Sequence, residues 1–334
     1  MKPENNITTA KAYSTAHPSL ALIKYWGKQN KKHNIPATPS LAVTLEDLKT
    51  ETTAFILKNA AEDRIIVNGK EQDINRYKTY LRILKKKAGF RNNPDCGIYA
   101  ESISNFPPSA GLASSSSGFA ALTAAVFAAS EKDLSLKDIS KVSRLGSASA
   151  ARSVYGGFTV LRNGALSAEQ LFGPDWWKDF RVIIMEVSKS EKKIPSREAM
   201  NIAAGTSPCY KSWLKNSRTL FKEAINALEN KDIEQLGPLV RTSYLRMFST
   251  MFSSAPPVIY WEPLSLEIIK KCSEWRESGL QAWETMDAGP QVKIFTIENQ
   301  VSKICSRIKQ DFPDINFRIS KAGGNIRFQR ILNE

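Results

Sequence analysis

Residues 106–119 read FPPSAGLASSSSGF, and the interpretation of the whole chain starts from this stretch. It follows residues 96–104 (CGIYAESIS), which alternate like a half-buried strand, and it runs into an alanine-rich segment typical of a helix. A helix that begins among serines presents unpaired N–H groups and the positive end of its dipole, so it binds phosphate readily. The stretch is neither a Walker A motif nor a dinucleotide-binding GxGxxG. We therefore expect a strand, a phosphate-binding loop and a helix in this order, with a purely structural serine-capped helix as the alternative.

The composition is that of a soluble globular protein, with 42% hydrophobic and 24% charged residues. No apolar run approaches the ~18 residues of a membrane span, and the first residues lack the apolar core of a secretory signal. We therefore expect a cytoplasmic protein without a membrane partner. A chain of 334 residues is long for one core. We expect two lobes, residues 1–188 and 189–334, that divide near the polar run at 188–195.

Scarce histidines and scattered cysteines exclude several kinds of chemistry. The chain has two histidines, His17 and His33, and neither lies in an HExxH-type arrangement. Its four cysteines form no CxxC pair, so zinc, redox and disulfide frameworks are not expected. The chemistry must rest on carboxylates, lysine, arginine, hydroxyls and backbone amides.

A net charge of +14 would suit a polyanionic partner. The basic residues, however, fall in short clusters at 85–87, 192–193 and 270–271, which we interpret as solvated helix faces. A nucleic-acid-binding protein would interleave aromatic and basic residues on one face, and no such stripe is apparent. We expect no nucleic-acid partner.

The remaining patterns mix strands and helices without strict alternation, which favours an α+β fold over a doubly wound parallel sheet. Strands are predicted at 52–57 and 64–67 before an Asn68 and Gly69 turn, and a helix is predicted at 73–88. The second half contains the following predicted elements: strand 181–187, helices 207–228, 232–248 and 264–278, and strands around 281–286, 292–296 and 316–320.

Three further stretches carry groups suited to an anionic ligand. In GSASAARSVYGG (146–157), Arg152 offers a planar fork for a carboxylate or phosphate, although a tightly packed helix with a surface arginine explains the pattern equally well. In ALIKYWGK (21–28), Lys24 and Lys28 are four residues apart, a spacing that would place both on one face of a helix. Gly27 favours a strand or loop instead, so the pattern does not decide whether the two side chains point the same way. In MDAGP (286–290), Asp287 ends an apolar stretch in a turn, where aspartate is also common for purely structural reasons.

Together these stretches resemble the diphosphomevalonate decarboxylase family of the GHMP kinase superfamily. The motifs ALIKYWGK, PATPSLAVTL, SNFPPSAGLASSSSGFAAL, GSASAARSVYGGF, SREAM and MDAGP fall in the family's order and spacing over nearly the whole chain. The resemblance implies a two-lobed α+β enzyme with a GHMP-kinase-like fold and its active site in a cleft between the lobes. It also implies that mevalonate 5-diphosphate and ATP are converted, with Mg²⁺, into isopentenyl diphosphate, ADP, phosphate and carbon dioxide. Dimers are frequent in the family, so a homodimer is compatible with it. A decarboxylase of mevalonate 5-phosphate and a mevalonate-type 3-kinase are the alternatives.

The resemblance also assigns roles residue by residue, although it identifies no metal ligand. Asp287 matches the catalytic aspartate that orients the attacking hydroxyl, Arg152 the arginine that holds the substrate carboxylate, and Lys24 the lysine beside the reacting centre. The predicted substrate-binding residues are Tyr25, Lys28, Ser147, Ser149, Ser196 and Arg197. The predicted ATP-binding residues are Asn105, Pro108, Gly111, Leu112, Ala113, Ser114, Ser115 and Ser116. The chain departs from the usual family pattern at Ser19, at Pro108 with Ser109, and at Gln291.

Overall fold

A computed structural model describes residues 8–57, 60, 62–89, 96–106, 114–130, 132, 134–190 and 192–331. Within these ranges the strands are β1 (Thr8–Ala16), β2 (Ser19–Ile23), β3 (Lys28–Asn30), β4 (Ile35–Pro36), β5 (Ser40–Thr44), β6 (Thr50–Leu57), β7 (Arg64–Val67), β8 (Lys70–Glu71), β9 (Gly97–Ser104), β10 (Phe158–Leu161), β11 (Glu169–Phe172), β12 (Phe180–Met185), β13 (Trp283–Met286), β14 (Val292–Ile297), β15 (Phe317–Ser320) and β16 (Arg327–Ile331). The α-helices are α1 (Lys78–Ala88), α2 (Ser114–Ala129), α3 (Leu136–Gly146), α4 (Ser196–Thr206), α5 (Tyr210–Glu229), α6 (Ile233–Phe252), α7 (Pro263–Glu277) and α8 (Glu298–Asp311). Short 3₁₀ helices span Ile74–Arg76 and Ala148–Val154.

The first sheet has the strand order β16-β1-β6-β9-β7-β8 and is antiparallel except between β7 and β9. Helix α2 packs against its central strands, and α1 and α3 flank that helix. Alanines on several sides of α2 are fully buried, among them Ala120, Ala121, Ala124 and Ala125. Because these side chains are small and apolar all round, α2 lies inside the lobe rather than on its surface. This packing fixes where the N-terminus of α2 points.

Two four-stranded sheets, β11-β10-β5-β2 and β13-β14-β12-β15, share a second core with α5 and α6. Strand β12 is buried on both faces: Val182 and Ile184 lie in this second core, whereas Ile183 and Met185 lie in a third core with α4, α7 and α8. A strand buried on both faces reads as a continuous apolar run, as VIIM (182–185) does here.

The two ends of the chain are joined across the fold. Strand β16 pairs with β1 of the first sheet, and β12 pairs with β14 and β15 of the third. Strands from before residue 188 are therefore hydrogen-bonded to strands from after it in two different sheets. The division into residues 1–188 and 189–334 stays a prediction.

Several elements form where the sequence patterns predict them. Strand β7 matches its predicted range, β9 begins one residue after the predicted start at 96, and Asn68 and Gly69 form the turn with φ of 48° and 75°. The helix predicted at 73–88 is a 3₁₀ turn followed by α1, and it ends at Gly89 with φ of 94°. Mixed helices and mostly antiparallel sheets confirm the α+β prediction. No helix among the described ranges is long and apolar enough to cross a membrane.

Candidate active site

A cleft of about 330 Å³ lies where the N-terminal and C-terminal elements meet. Its walls come from the segment after β2, the start of α2, the 3₁₀ helix Ala148–Val154, the start of α4, and the turn between β13 and β14. These are the places where four of the singled-out stretches end up. The fold thus gathers motifs that are far apart in sequence.

Asp287 lies in this cleft on the turn between β13 and β14, with 20% of its side chain exposed. Its Oδ1 is 2.9 Å from the Nζ of Lys24, which follows β2 and is 1% exposed. The Lys24 ammonium also donates to the carbonyl of Ala21 at 2.6 Å, and the Lys24 main-chain N–H donates to Ser243 Oγ at 2.9 Å. The carboxylate and the ammonium are therefore held in one fixed arrangement.

The charged groups that act on Asp287 most strongly among the described residues are positive. Burial on its own would raise the pKa of this carboxyl, but Lys24, Lys293 and Arg152 outweigh burial and hold the pKa below its ordinary value. Asp287 is therefore ionised at neutral pH. It is the only carboxylate in the described lining of the cleft, and there it can accept a hydrogen bond from a hydroxyl group.

Arg152 also lines this cleft, and only some of the hydrogen-bond donors of its guanidinium are engaged within the described residues. Its side chain is 2% exposed, and its Nη1 donates to Ser40 Oγ at 2.6 Å. Its buried Nε has no hydrogen-bond partner among the described residues. Burial lowers the pKa of Arg152 to about 10, so the group stays charged at neutral pH. A buried charged donor without a partner is costly, which indicates that an anionic group of a ligand completes this site.

A second basic region lies beside Tyr25, whose buried hydroxyl also has no partner within the described ranges. Lys28 and Arg197 line the cleft here, and Arg197 donates to the carbonyl of Gly146 at 2.8 Å. Gly27 precedes Lys28 with φ of 96°, and a Cβ at this position would collide with the hydroxyl of Tyr210. Glycine therefore allows both the turn before Lys28 and the close approach of α5.

Serines from two separate stretches meet at the start of α2. Ser114 and Ser115 line the cleft in the first turn of this helix. Ser115 Oγ is 3.4 Å from Ser147 Oγ, which is 3.1 Å from Ser149 Oγ. The N-terminus of α2 and these hydroxyls form a row of donors of the kind that binds phosphate.

Two predicted ATP-binding residues do not line the described cleft. Ser116 is buried, and its Oγ accepts the N–H of Ser19 at 3.4 Å. Asn105 accepts the N–H of Lys49 at 2.9 Å and donates to the carbonyl of Asp47 at 2.8 Å. Both side chains thus make structural hydrogen bonds. Four more predicted ATP-binding residues lie outside the described residues: Pro108, Gly111, Leu112 and Ala113.

The departures from the family pattern fall into different surroundings. Ser19 lines the cleft, and its hydroxyl donates to the carbonyl of Ser149 at 3.5 Å. Gln291 is 1% exposed, and its Oε1 accepts the N–H of Val187 at 2.6 Å, so it ties the turn after β13 to the segment that follows β12. Pro108 and Ser109 lie outside the described residues.

Sequence reasoning missed two lysines, one in the lining of the cleft and one beside Asp287. We interpreted 192–193 as a solvated face, but only Lys193 is exposed. Lys192 lines the cleft, and its Nζ donates to Ser196 Oγ and to the carbonyl of Ala288, both at 2.8 Å. Lys293, in β14, is 3.6 Å from Asp287 Oδ2. A charged residue inside the apolar run VKIFTI is the signal that could have revealed Lys293.

The fold and the site define the class of this protein. Its sheets and helices superimpose closely on crystal structures that have the GHMP-kinase-like fold. Two family models match the chain: the diphosphomevalonate decarboxylase-like N-terminal domain over residues 16–171 and the mevalonate 5-diphosphate decarboxylase C-terminal domain over residues 182–327. The chain belongs to the diphosphomevalonate decarboxylase family.

Similar proteins support this assignment over most of the chain. Diphosphomevalonate decarboxylase of Rattus norvegicus is 32% identical over 93% of this chain and 82% of its own length. The Homo sapiens enzyme is 32% identical over 90% of this chain and 80% of its own length. The crystal structure of mevalonate diphosphate decarboxylase from Staphylococcus aureus has a TM-score of 0.89 at 33% identity and covers 96% of this chain and 98% of its own. A structure described as MDDEF in complex with MVAPP, AMPPCP and magnesium has a TM-score of 0.89 at 32% identity, with 96% of this chain and 99% of its own covered.

Proposed function

We propose that the chain catalyses the ATP-dependent decarboxylation of mevalonate 5-diphosphate to isopentenyl diphosphate, ADP, phosphate and carbon dioxide. The observation that carries the proposal is the juxtaposition of Asp287, paired with Lys24, and Arg152, whose buried Nε has no partner among the described residues, in one cleft. Asp287 with Lys24 is suited to accept a hydrogen bond from an attacking hydroxyl, and the guanidinium of Arg152 is suited to bind the substrate carboxylate. Family membership supports the same reaction.

In the proposed complex, the anionic ends of the substrate fix its orientation. Arg152 binds the carboxylate, and the basic region of Tyr25, Lys28 and Arg197 binds the 5-diphosphate. The tertiary hydroxyl at C3 then faces Asp287. Holding both ends of the substrate turns the phosphoryl transfer into a reaction between groups already in place.

The reaction balances with the groups that the cleft provides. The C3 hydroxyl oxygen bonds to the γ-phosphorus of ATP, and the bond from this phosphorus to ADP breaks. The hydroxyl proton becomes strongly acidic as its oxygen gains the phosphoryl group, so the weakly basic Asp287 carboxylate suffices to accept it. Phosphate then leaves from C3, the bond between the carboxylate carbon and C2 breaks, and its electron pair forms the C2–C3 double bond as carbon dioxide departs.

The donors at the start of α2 suit the ATP phosphates. Ser114, Ser115 and the helix N-terminus offer hydroxyl and main-chain donors at one end of the cleft. No group of three His, Cys, Asp or Glu side chains able to hold a metal occurs among the residues that the structure describes. The hydroxyl oxygens of Ser114 and Ser115 would help to hold a Mg²⁺ ion beside the nucleotide phosphates, since Mg²⁺ takes oxygen ligands. When bound, Mg²⁺ neutralises charge on the transferring phosphates.

The basic region favours a diphosphate over a monophosphate. Lys28 and Arg197 line the cleft together with Tyr25, and the positive charge of Lys31 also acts on Lys28. A second phosphoryl group adds charge that these cations can neutralise. This is the observation against the alternative in which mevalonate 5-phosphate is the substrate.

The proposed function predicts equal release of two products. Purified protein with Mg-ATP and mevalonate 5-diphosphate is expected to release ADP and carbon dioxide in a one-to-one ratio. A coupled assay measures ADP, and trapping of labelled carbon dioxide from substrate labelled at C1 measures decarboxylation. Parallel reactions with mevalonate and mevalonate 5-phosphate serve as controls. ADP without carbon dioxide would instead establish a 3-kinase, and activity with the monophosphate alone would establish the sister decarboxylase.

Lys28 predicts a pH dependence of substrate binding. Burial, followed by the charges of Arg197 and Lys31, lowers the pKa of Lys28 to about 8. Lys28 is therefore charged below this pH and loses its charge as the pH rises through it, so the affinity for mevalonate 5-diphosphate should fall above about pH 8. Calorimetric titration without ATP measures this affinity, and Lys28→Arg should move the fall to higher pH because guanidinium stays charged. The matched control is Lys70→Arg at an exposed lysine of β8, which should keep the wild-type profile. Identical profiles for wild type and Lys28→Arg would exclude this role.

A further inference from the structure

Lys293 occupies an unusual place for a charged residue. It lies in β14, opposite Ile184 of β12 and Thr285 of β13. Residues directly opposite each other point to the same side of a sheet, and on this side Ile184 and the next inward residue of β14, Phe295, belong to an apolar core. Lys293 is 1% exposed. An ammonium group is thus buried at the end of an apolar sheet face.

Burial of a charge is expensive unless the charge is paired, so the partners of Lys293 explain its presence. Its Nζ is 3.6 Å from Asp287 Oδ2 and 3.4 Å from the carbonyl of Gln291, to which it donates. Lys24 binds the other oxygen of the same carboxylate, Oδ1, at 2.9 Å. The two oxygens of Asp287 are therefore each faced by a different buried ammonium group.

We propose that Lys293 is a positioning residue for the reaction, in which its ammonium group faces Oδ2 of Asp287, orients the carboxylate toward the C3 hydroxyl and keeps it ionised. This inference rests on the proposed function. Lys293 does not line the described cleft, so it acts through Asp287 rather than on the substrate.

The electrostatic surroundings agree with this role. The charged groups that face Asp287 are Lys24, Lys293, Arg152 and Lys192, which come from four different parts of the chain. Burial lowers the pKa of Lys293 to about 8, and Asp287 opposes this shift. Loss of the positive charge at 293 should therefore raise the pKa of Asp287 and weaken its hydrogen bond to the substrate.

The decisive variant is Lys293→Met, because a methionine of similar length suits the apolar face. We expect kcat to fall about tenfold, since orientation of the reacting groups is lost. The KM values for both substrates should stay within about threefold, because neither contacts Lys293, and Tm should change little, because Asp287 keeps its pair with Lys24 while the repulsion of Lys293 by Lys24 and Lys192 is removed. In a plot of kcat against pH, the fall of kcat at low pH should begin at a higher pH, because the pKa of Asp287 is raised. Lys270→Met makes the same change at an exposed site on α7 and should leave all four measurements at wild-type values.

A second measurement does not depend on turnover. Carboxyl-¹³C NMR of aspartate-labelled protein, with the Asp287 signal assigned by its absence in Asp287→Asn, gives the pKa of Asp287 directly. This pKa should be higher in Lys293→Met than in wild type, and Lys293→Gln offers the same comparison should the methionine variant fold poorly. An unchanged pKa of Asp287, or wild-type kcat, would overturn the inference, as would a large drop in Tm with the fall of kcat at low pH unmoved. Failure of the wild-type protein to release carbon dioxide would instead overturn the proposed function, and the NMR comparison would still stand.

Discussion

Asp287→Asn is expected to reduce release of both ADP and carbon dioxide by about 10³-fold, in the range of losses for a positioned proton acceptor. The amide is nearly the same size as the carboxylate but cannot take the hydroxyl proton. It also removes the one negative charge among Lys24, Lys293 and Arg152, so these cations repel one another. Both products should be lost together, because carbon dioxide leaves only after the C3 oxygen has been phosphorylated. Product assays under saturating substrates measure the effect.

ATP affinity separates this role from a general loss of structure. Ser115 at the start of α2 contacts Ser147, whereas Asp287 pairs with Lys24, so binding of a fluorescent ATP analogue to Asp287→Asn should stay within a few-fold of wild type. Asp314→Asn, at an exposed aspartate, is the matched control and should retain full activity. Near wild-type turnover by Asp287→Asn would show that the carboxylate has no part in the chemistry.

Arg152→Met is expected to lower kcat/KM for mevalonate 5-diphosphate by roughly 10²- to 10³-fold. The substrate carboxylate would then be buried without a partner, a loss of about 3–5 kcal/mol when one member of a buried ion pair is removed, and each 1.4 kcal/mol corresponds to tenfold in affinity. Ser40 would also lose the guanidinium that donates to its hydroxyl at 2.6 Å. Steady-state kinetics and calorimetric titration of the substrate measure the two parts of this effect.

Two comparisons make the Arg152 result specific. Arg152→Lys keeps the charge but loses the planar fork, so it should recover only part of the lost affinity. Arg82→Met, at an exposed arginine of α1, controls for loss of one positive charge and should bind the substrate as wild type does. If Arg152→Met bound mevalonate 5-diphosphate with unchanged affinity, another group would have to hold the carboxylate.

Local patterns were enough to predict much of the fold. The turn at Asn68 and Gly69 and the start of α2 among the serines each follow from a few neighbouring residues. Strands β2 (SLALI) and β5 (SLAVT) were harder to predict, because a short, wholly buried apolar run is equally compatible with a helix and with a strand. The pairing of β1 with β16 joins opposite ends of the chain and leaves no local pattern at all.

The residues of the candidate site were likewise predictable from the sequence only in part. Asp287, Arg152 and Lys24 stand in distinctive motifs, and the fold brings all three into one cleft. Lys192 and Lys293 were missed because lysines in a basic chain are usually solvated, and only the packing around them reveals their burial. Conversely, Asn105 and Ser116 stand in the right stretch, but their side chains are engaged in hydrogen bonds within the protein.

The pairing of β16 with β1 also has a consequence for synthesis of the protein. Among the described strands, β1 leaves the ribosome first and β16 last, so the first sheet keeps an open edge while the rest of the chain is made. An exposed strand edge is a template for pairing with other chains, and nascent domains generally fold from the N-terminus onward. Loss of only the last strand would therefore leave a nearly complete protein with a bare edge on its first sheet, prone to aggregate although every group in the cleft is present.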